Sequence, residues 1–258
     1  APAPAPIPAA PAPAAPLPTK PHAGRTLARE LFADFPTLAA TLPAALYVNV
    51  QAHPDAPSID ELYQFDPANL RNALQSASLE HPMPLWCGGP KGSGKTEFCR
   101  QIAARLGRPF FRVSFNRATE PAEILGDMGL RDGATIWQDG PVSAALRTPG
   151  AVLLLDEITY AAQGYLASLN GVLETNGAAV RLPRTGEALV PAPGVIVLAA
   201  DNTLGFGDTS GEYGSRTPMT ADTRNRFRIT LVFGYLDADS ESRLLRQRIA
   251  RACGLTLR

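Results

Sequence analysis

Apolar and polar positions along the chain alternate between two periods. Val152-Leu153-Leu154-Leu155 and Val195-Ile196-Val197-Leu198-Ala199-Ala200 are uninterrupted apolar runs, the pattern of strands buried on both faces of a parallel sheet. Met83-Pro84-Leu85-Trp86-Cys87-Gly88 is a shorter run of the same kind, and Phe110 to Phe115 alternates as a strand. Between the runs the period changes. Glu97 to Leu106 places Phe98, Ile102 and Leu106 on one helical face, and Gly107 and Pro109 stop it. Asp66 is a suitable N-cap and Pro67 suits the first helical position, so a helix is predicted to about Leu79. Further helices are expected at Thr119–Leu125, Gly140–Arg147, Gln163–Thr175 and Asp239–Cys253, the last with Leu244, Leu245 and Ile249 on its apolar side. Asp127–Gln138 reads as a hairpin turning at Asp132-Gly133, Ala178–Val190 as a second, and Phe227–Phe233 as a final strand. Strands alternating with helices predict an α/β fold with a parallel sheet.

Gly89-Pro90-Lys91-Gly92-Ser93-Gly94-Lys95-Thr96 joins the first buried strand to its helix and fits G-x-x-x-x-G-K-[ST], the P-loop of nucleotide-binding proteins. Glycines let the backbone curl until successive N–H groups face phosphate oxygens, and the following helix turns its positive end the same way. Gly89 to Thr96, with Glu97 after them, form the expected nucleotide-binding segment. Lys95 reaches the β- and γ-phosphates and Thr96 offers a hydroxyl to Mg²⁺. The Val152–Leu155 strand ends in Asp156 and Glu157, at the strand ends where open α/β sheets bind ligands. Asp156 is the expected Mg²⁺ ligand, direct or through water, and Glu157 the residue that polarises the attacking water. The next buried strand ends in Asp201-Asn202. Asn202 is preferred as the side chain touching the γ-phosphate, because a neutral amide approaches phosphate without the repulsion that Asp201 brings. The expected cofactors are ATP and Mg²⁺.

Composition narrows the rest. The formal net charge of +0 offers no global basic field for nucleic acid. The three cysteines, Cys87, Cys99 and Cys253, form no C-x-x-C pair, which favours a reducing, cytoplasmic setting over a disulfide framework. No apolar run approaches the roughly 20 residues that span a bilayer. Residues 1–24, mostly Ala and Pro up to Pro21, are expected to be an extended, disordered linker. Residues 25–57 read as a partly helical lead-in broken by Pro36 and Pro43, residues 58–236 as the catalytic core, and 237–258 as the beginning of a further helical unit. Thr203–Thr220 is a long glycine-containing loop, a length that usually carries function.

The P-loop, the apolar strand ending in Asp156-Glu157, the strand ending before Asn202, and Asn225-Arg226-Phe227 before the last strand together resemble an AAA+ ATPase. The hairpin following the acidic strand resembles the MoxR and dynein-related branch. Gln101 to Val113, Leu173-Glu174, the lead-in Ser58-Ile59-Asp60 to Asp66, and above all Ala200 to Gly211 are similar to the ATPase subunits of aerobic cobaltochelatases. The resemblance covers about Ser58 to Arg248. It implies an AAA+ P-loop core followed by a helical lid, a homo-oligomeric ring, in the family's pattern a hexamer, and ATP bound between subunits. It maps Lys95, Thr96, Asp156, Glu157 and Asn202 onto P-loop, Walker B and sensor positions, and Arg226 onto the arginine that reaches a neighbour's γ-phosphate, with Arg224 as second candidate. It also implies a protein partner carrying an integrin-like (VWA) domain or a chelatase-type subunit. The Ala/Pro leader lies outside the family pattern, and the lid's sensor arginine has no assignable counterpart here.

Two functions compete. One is a ring ATPase that remodels or activates a partner protein. The other is a nucleic-acid motor or the nucleotide-driven part of a nuclease, which predicts basic hairpin tips. Arg181 and Arg184 give that reading slight support, but Glu187 sits beside them with no aromatic residue. A nucleotide holder without hydrolysis is disfavoured by the intact Asp156-Glu157 pair. GTP is disfavoured because no N-K-x-D sequence occurs.

Overall fold

A computed structural model describes residues 24–161, 169–174, 178–203 and 219–254. Its centre is a five-stranded sheet built from β3 (Leu85–Gly88), β4 (Phe110–Ser114), β7 (Val152–Asp156), β10 (Ile196–Asp201) and β11 (Ile229–Val232). The spatial order is β11-β3-β10-β7-β4, with every pairing parallel. The apolar runs are explained by the pleat, which sends alternate side chains to opposite faces. Val152 and Leu154 enter one core with Ile196 and Leu198, whereas Leu153 and Leu155 enter a second with Val197 and Ala199. The sheet is therefore sandwiched between two hydrophobic layers, as the sequence predicts.

The first layer carries α3 (Pro67–Ala77) and α4 (Lys95–Arg105). Asp66 caps α3 by accepting a hydrogen bond from the Asn69 amide at 2.8 Å. Phe98, Ile102 and Leu106 are all buried in this layer. The second layer carries α5 (Pro121–Leu125) and α6 (Pro141–Arg147). Between them stands the hairpin of β5 (Gly126–Arg131) and β6 (Ala134–Asp139), turning at Asp132-Gly133 with both residues at positive φ. A short second hairpin, β8 (Val180–Arg181) with β9 (Ala188–Leu189), lies where the sequence places it. The end of the chain holds α7 (Ala221–Asn225) and α8 (Ala238–Ala252), the latter capped by Asp237.

The segment 25–57 is more ordered than its sequence suggests. Pro36 opens a helix rather than breaking one: α1 (Ala28–Leu31) and α2 (Pro36–Thr41) are framed by the antiparallel pair β1 (Arg25–Leu27) and β2 (Tyr47–Asn49). Each strand has only 3 residues, too few for a period-2 pattern to show. Ala28, Phe32, Leu42 and Val48 are buried in the same core as α3 and α4. Arg105 of α4 pairs with Asp34 at 2.7 Å and stacks on Phe32 and Phe35.

Three expectations fall wholly or partly outside the described residues: the Ala/Pro leader up to residue 23, most of the predicted helix Gln163–Thr175, and residues 204–218 of the glycine-containing loop. The described part of that helix, Asn170–Leu173, is a 3-10 turn. The apolar side expected for α8 is open rather than packed: Leu245 is 52% and Ile249 60% exposed, with Ala250 the buried residue. Among the described residues, no helix is long and apolar enough to cross a membrane.

Candidate nucleotide site

The parallel register brings the carboxyl ends of the strands together. Asp201 lies opposite Gly88, Asp156 opposite Ala200, and Ser114 opposite Asp156. All motif-bearing strand ends thus meet at one edge of the sheet, where helix N-termini also point. A cleft of about 520 Å³ opens there, lined by Lys91, Gly92, Gly94, Lys95, Thr96 and Glu97 from the loop and α4, Arg112 and Ser114 from β4, and Asp156, Glu157, Asp201 and Asn202.

The loop shape is dictated by its glycines. Gly89 has φ of 154°, and a Cβ there would sit 2.2 Å from the Phe233 carbonyl oxygen. The chain leaving β3 is therefore pressed against the end of β11, and only glycine fits. Gly94 closes the turn at φ of 85° and is the N-cap of α4, without a side chain to satisfy the first helical amides. Such amides are a ready anion site. Among the described residues the buried Ser93 hydroxyl has no hydrogen-bond partner, a polar group that phosphate oxygens would satisfy.

Lys95 is 8% exposed. Its ammonium donates to the carbonyls of Gly89 and Pro90 and to Oδ1 of Asn202, each at 2.8 Å. A nearly buried ammonium that donates to these neutral oxygens can exchange them for stronger anionic acceptors. The Thr96 hydroxyl donates to Asp156 Oδ2 at 3.1 Å, so the two expected metal-binding side chains are in contact. Glu157 adopts a left-handed conformation, φ 55° and ψ 38°, uncommon for a residue with a side chain and concentrated at functional sites. The turn places it on the cleft wall one residue beyond the buried strand. Glu97 also lines the cleft and accepts hydrogen bonds along α4 from Arg100 and Gln101.

The structure separates Asp201 from Asn202. Asp201 is 1% exposed and accepts hydrogen bonds from the Thr159 hydroxyl and from the Thr203 amide, the latter at 2.6 Å. It ties the turn after Glu157 to the end of β10, while Asn202 meets Lys95. Arg226 follows α7 and is held by Glu174 at 2.6 Å and Asp222 at 3.2 Å. It does not line the cleft.

Sequence reasoning missed Arg112. It donates to Asp156 Oδ2 through Nε at 3.0 Å and pairs with it through Nη2 at 2.7 Å. Its only sequence signal is a charge at an outward position of an otherwise apolar strand. The tie from Tyr235, whose hydroxyl donates to the Lys91 carbonyl at 3.0 Å, was missed too. At the second hairpin, Arg184 pairs with Asp127 at 3.2 Å and Arg181 donates to the Gly186 carbonyl. Cys87 and Cys99 lie buried beneath the loop with their sulfurs 3.9 Å apart.

The anion cradle, the buried ammonium, the buried Ser93 hydroxyl and the adjoining Thr96–Asp156 pair fit a nucleoside triphosphate with a hard divalent cation, which takes oxygen ligands.

Comparison with known proteins agrees with this geometry. Residues 87–227 match the family model AAA domain (dynein-related subfamily). The chain is 31% identical to protein NorQ of Paracoccus denitrificans over 183 residues, 71% of this chain and 63% of that protein. It is 28% identical to the aerobic cobaltochelatase subunit CobS of Sinorhizobium sp over 189 residues, 72% of this chain and 56% of that subunit. The chain thus spans less than two thirds of the length of these relatives. Among solved structures, the S. cerevisiae Hsp104:casein complex in its extended conformation superposes with a TM-score of 0.54 at 18% identity, over 72% of this chain and 35% of that one, a likeness of fold. With its family model matched from the first buried strand to Phe227 and its parallel sheet carrying a P-loop, the chain belongs to the dynein-related, MoxR-like branch of the AAA+ ATPases.

Proposed function

We propose that the chain hydrolyses ATP with magnesium in a homo-oligomeric ring, a hexamer in the family's pattern, and uses the cycle to remodel or activate a partner protein. The observation that carries this is the convergence of Lys95, Thr96, Asp156, Glu157 and Asn202 on one cleft. The loop from Gly89 to Thr96 would wrap the phosphates with backbone N–H groups. Lys95 would exchange its carbonyl and amide acceptors for β- and γ-phosphate oxygens. Thr96 and Asp156 would hold the magnesium ion, which when bound offsets phosphate charge. Glu157 would orient and deprotonate the attacking water, and Asn202 would hold that water and the γ-phosphate in line. Arg226 is not among the residues that line its own chain's cleft, which suits a role at the neighbour's. The helix α8 would begin the lid over the nucleotide.

The cobaltochelatase subunit among the relatives favours a protein partner with an integrin-like (VWA) domain or a chelatase-type subunit. The nucleic-acid motor reading is weakened because Arg181 and Arg184 at the second hairpin are engaged within the chain. The test is a pull-down from the source cell's extract with Glu157→Gln, in Mg-ATP and without nucleotide. A protein with an adhesion-type or chelatase-type domain held only with ATP supports the proposal. Nuclease-protected DNA with no such protein refutes the remodelling role.

A further inference from the structure

Asp156 is almost fully buried, with its side chain 8% exposed, yet its Oδ2 atom is crowded with donors. Arg112 reaches it through Nε at 3.0 Å and Nη2 at 2.7 Å, and the Thr96 hydroxyl at 3.1 Å. All of these side-chain contacts fall on the same oxygen. The Arg112 guanidinium comes from β4, the neighbouring strand, at the position beside Leu154, and its side chain is 50% exposed on the cleft wall. A buried carboxylate without a partner is costly. Arg112 satisfies that need with a charge that belongs to the chain itself.

We propose that Arg112 is an internal counter-cation for Asp156 that competes with magnesium and sets how much of the metal the site requires. The proposal rests on reading the cleft as a Mg-ATP site. A carboxylate already neutralised by a guanidinium attracts a divalent cation less strongly, and the guanidinium must loosen or share its hold when the ion arrives. Because Arg112 is half exposed and sits on a long side chain, it can leave toward the cleft without moving β4. Thr96 is part of α4 itself, so its hydroxyl would stay in place to meet the metal. Arg112 thus acts through Asp156 as a positioning residue: it holds the acid oriented while the metal is away. The site is stabilised when empty, and Mg²⁺ affinity is lowered to match.

The test follows binding of a fluorescent ATP analogue across a magnesium titration, with thermal unfolding of the metal-free and nucleotide-free protein alongside. Arg112→Gln is expected to lower the half-saturating Mg²⁺ concentration by about two- to fivefold, the scale of a partly exposed Arg–carboxylate pair, while the empty protein melts at a lower temperature than wild type. Arg112→Lys, which keeps a charge but loses the paired donors, should fall between. In an Asp156→Asn background the Arg112→Gln shift in Mg²⁺ requirement should vanish. An unchanged or raised Mg²⁺ requirement in Arg112→Gln would overturn the proposal, as would the same shift persisting without the Asp156 carboxylate. If wild type binds no nucleotide at any Mg²⁺ concentration, the site reading itself is overturned, and the proposal with it. Normal wild-type binding with an unmoved variant overturns the proposal alone.

Discussion

Asn202→Asp separates the empty site from the occupied one, because the two states should respond with opposite sign. In the empty site Asn202 Oδ1 accepts from the Lys95 ammonium at 2.8 Å. A carboxylate in the same place turns that contact into an ion pair. At about 3 Å and an effective dielectric near 20, the gross attraction is roughly 5 kcal/mol. Desolvating a half-buried carboxylate removes most of it. A net gain of about 1 kcal/mol corresponds to a melting temperature roughly 2–4 °C higher. With ATP present the sign reverses. A carboxylate about 5 Å from the γ-phosphate is repelled by roughly 3 kcal/mol per unit charge at the same dielectric, and Lys95 must also abandon its new partner. After partial offset by the metal, the loss is about 2–3 kcal/mol, or roughly 30- to 150-fold in affinity. Asn202→Ala makes the control: it removes one charge-assisted hydrogen bond from the ammonium, costing the empty protein about 1–2 kcal/mol, and adds no repulsion. The assays are thermal unfolding without nucleotide and equilibrium titration with a fluorescent ATP analogue in magnesium. The reasoning fails if Asn202→Asp binds ATP within about twofold of wild type, since 1.4 kcal/mol is already tenfold, or if its empty form is less stable than wild type.

Other substitutions examine other parts of the site. Gly89→Ala forces a Cβ to within 2.2 Å of the Phe233 carbonyl at a φ of 154°, so strain and overlap together should cost about 2–6 kcal/mol; denaturant unfolding equal to wild type would show that the loop is not pressed against β11 there. Glu157→Gln should bind ATP with near wild-type affinity and hydrolyse it at least about 100-fold more slowly in single-turnover assays, the scale of a lost general base. Normal turnover would remove Glu157 from that role. Arg226→Ala should lower activity by about 10³-fold or more if it acts as a finger, and mixing it into wild-type protein should inhibit beyond simple dilution. Activity that falls in strict proportion to the wild-type fraction would show that Arg226 does not act on a neighbouring subunit.

The fold was legible where one physical cause dominates each residue. Val152–Leu155 and Ile196–Ala200 show no alternation because each strand feeds two cores, as a central strand of a parallel sheet does. The loop was legible because Gly89 and Gly94 each answer a backbone need that other residues cannot meet. The segment 25–57 was not, because its order comes from packing Phe32 and Val48 against α3 and α4 rather than from local periodicity. Arg112 was invisible for a related reason. Along β4 it is a lone charge in a mostly apolar strand, and its meaning appears only when the register sets β4 beside β7 and its side chain reaches Asp156. For the Asp201-Asn202 pair, charge reasoning selected the residue that meets Lys95. It could not foresee that Asp201 would be consumed by Thr159 and Thr203. The open face of α8 shows the converse: Leu245 and Ile249 have the spacing of a packed helix, yet the described residues leave them exposed.

The most direct test of the central claim is equilibrium binding of ATP in magnesium to the wild-type chain and to Lys95→Ala. Lys95 is a nearly buried ammonium, held by two loop carbonyls and Asn202. The account predicts saturable, Mg²⁺-dependent binding to wild type and loss of that binding in a Lys95→Ala protein that still unfolds cooperatively. Wild-type affinity in folded Lys95→Ala would contradict the assignment of this cleft as the nucleotide site.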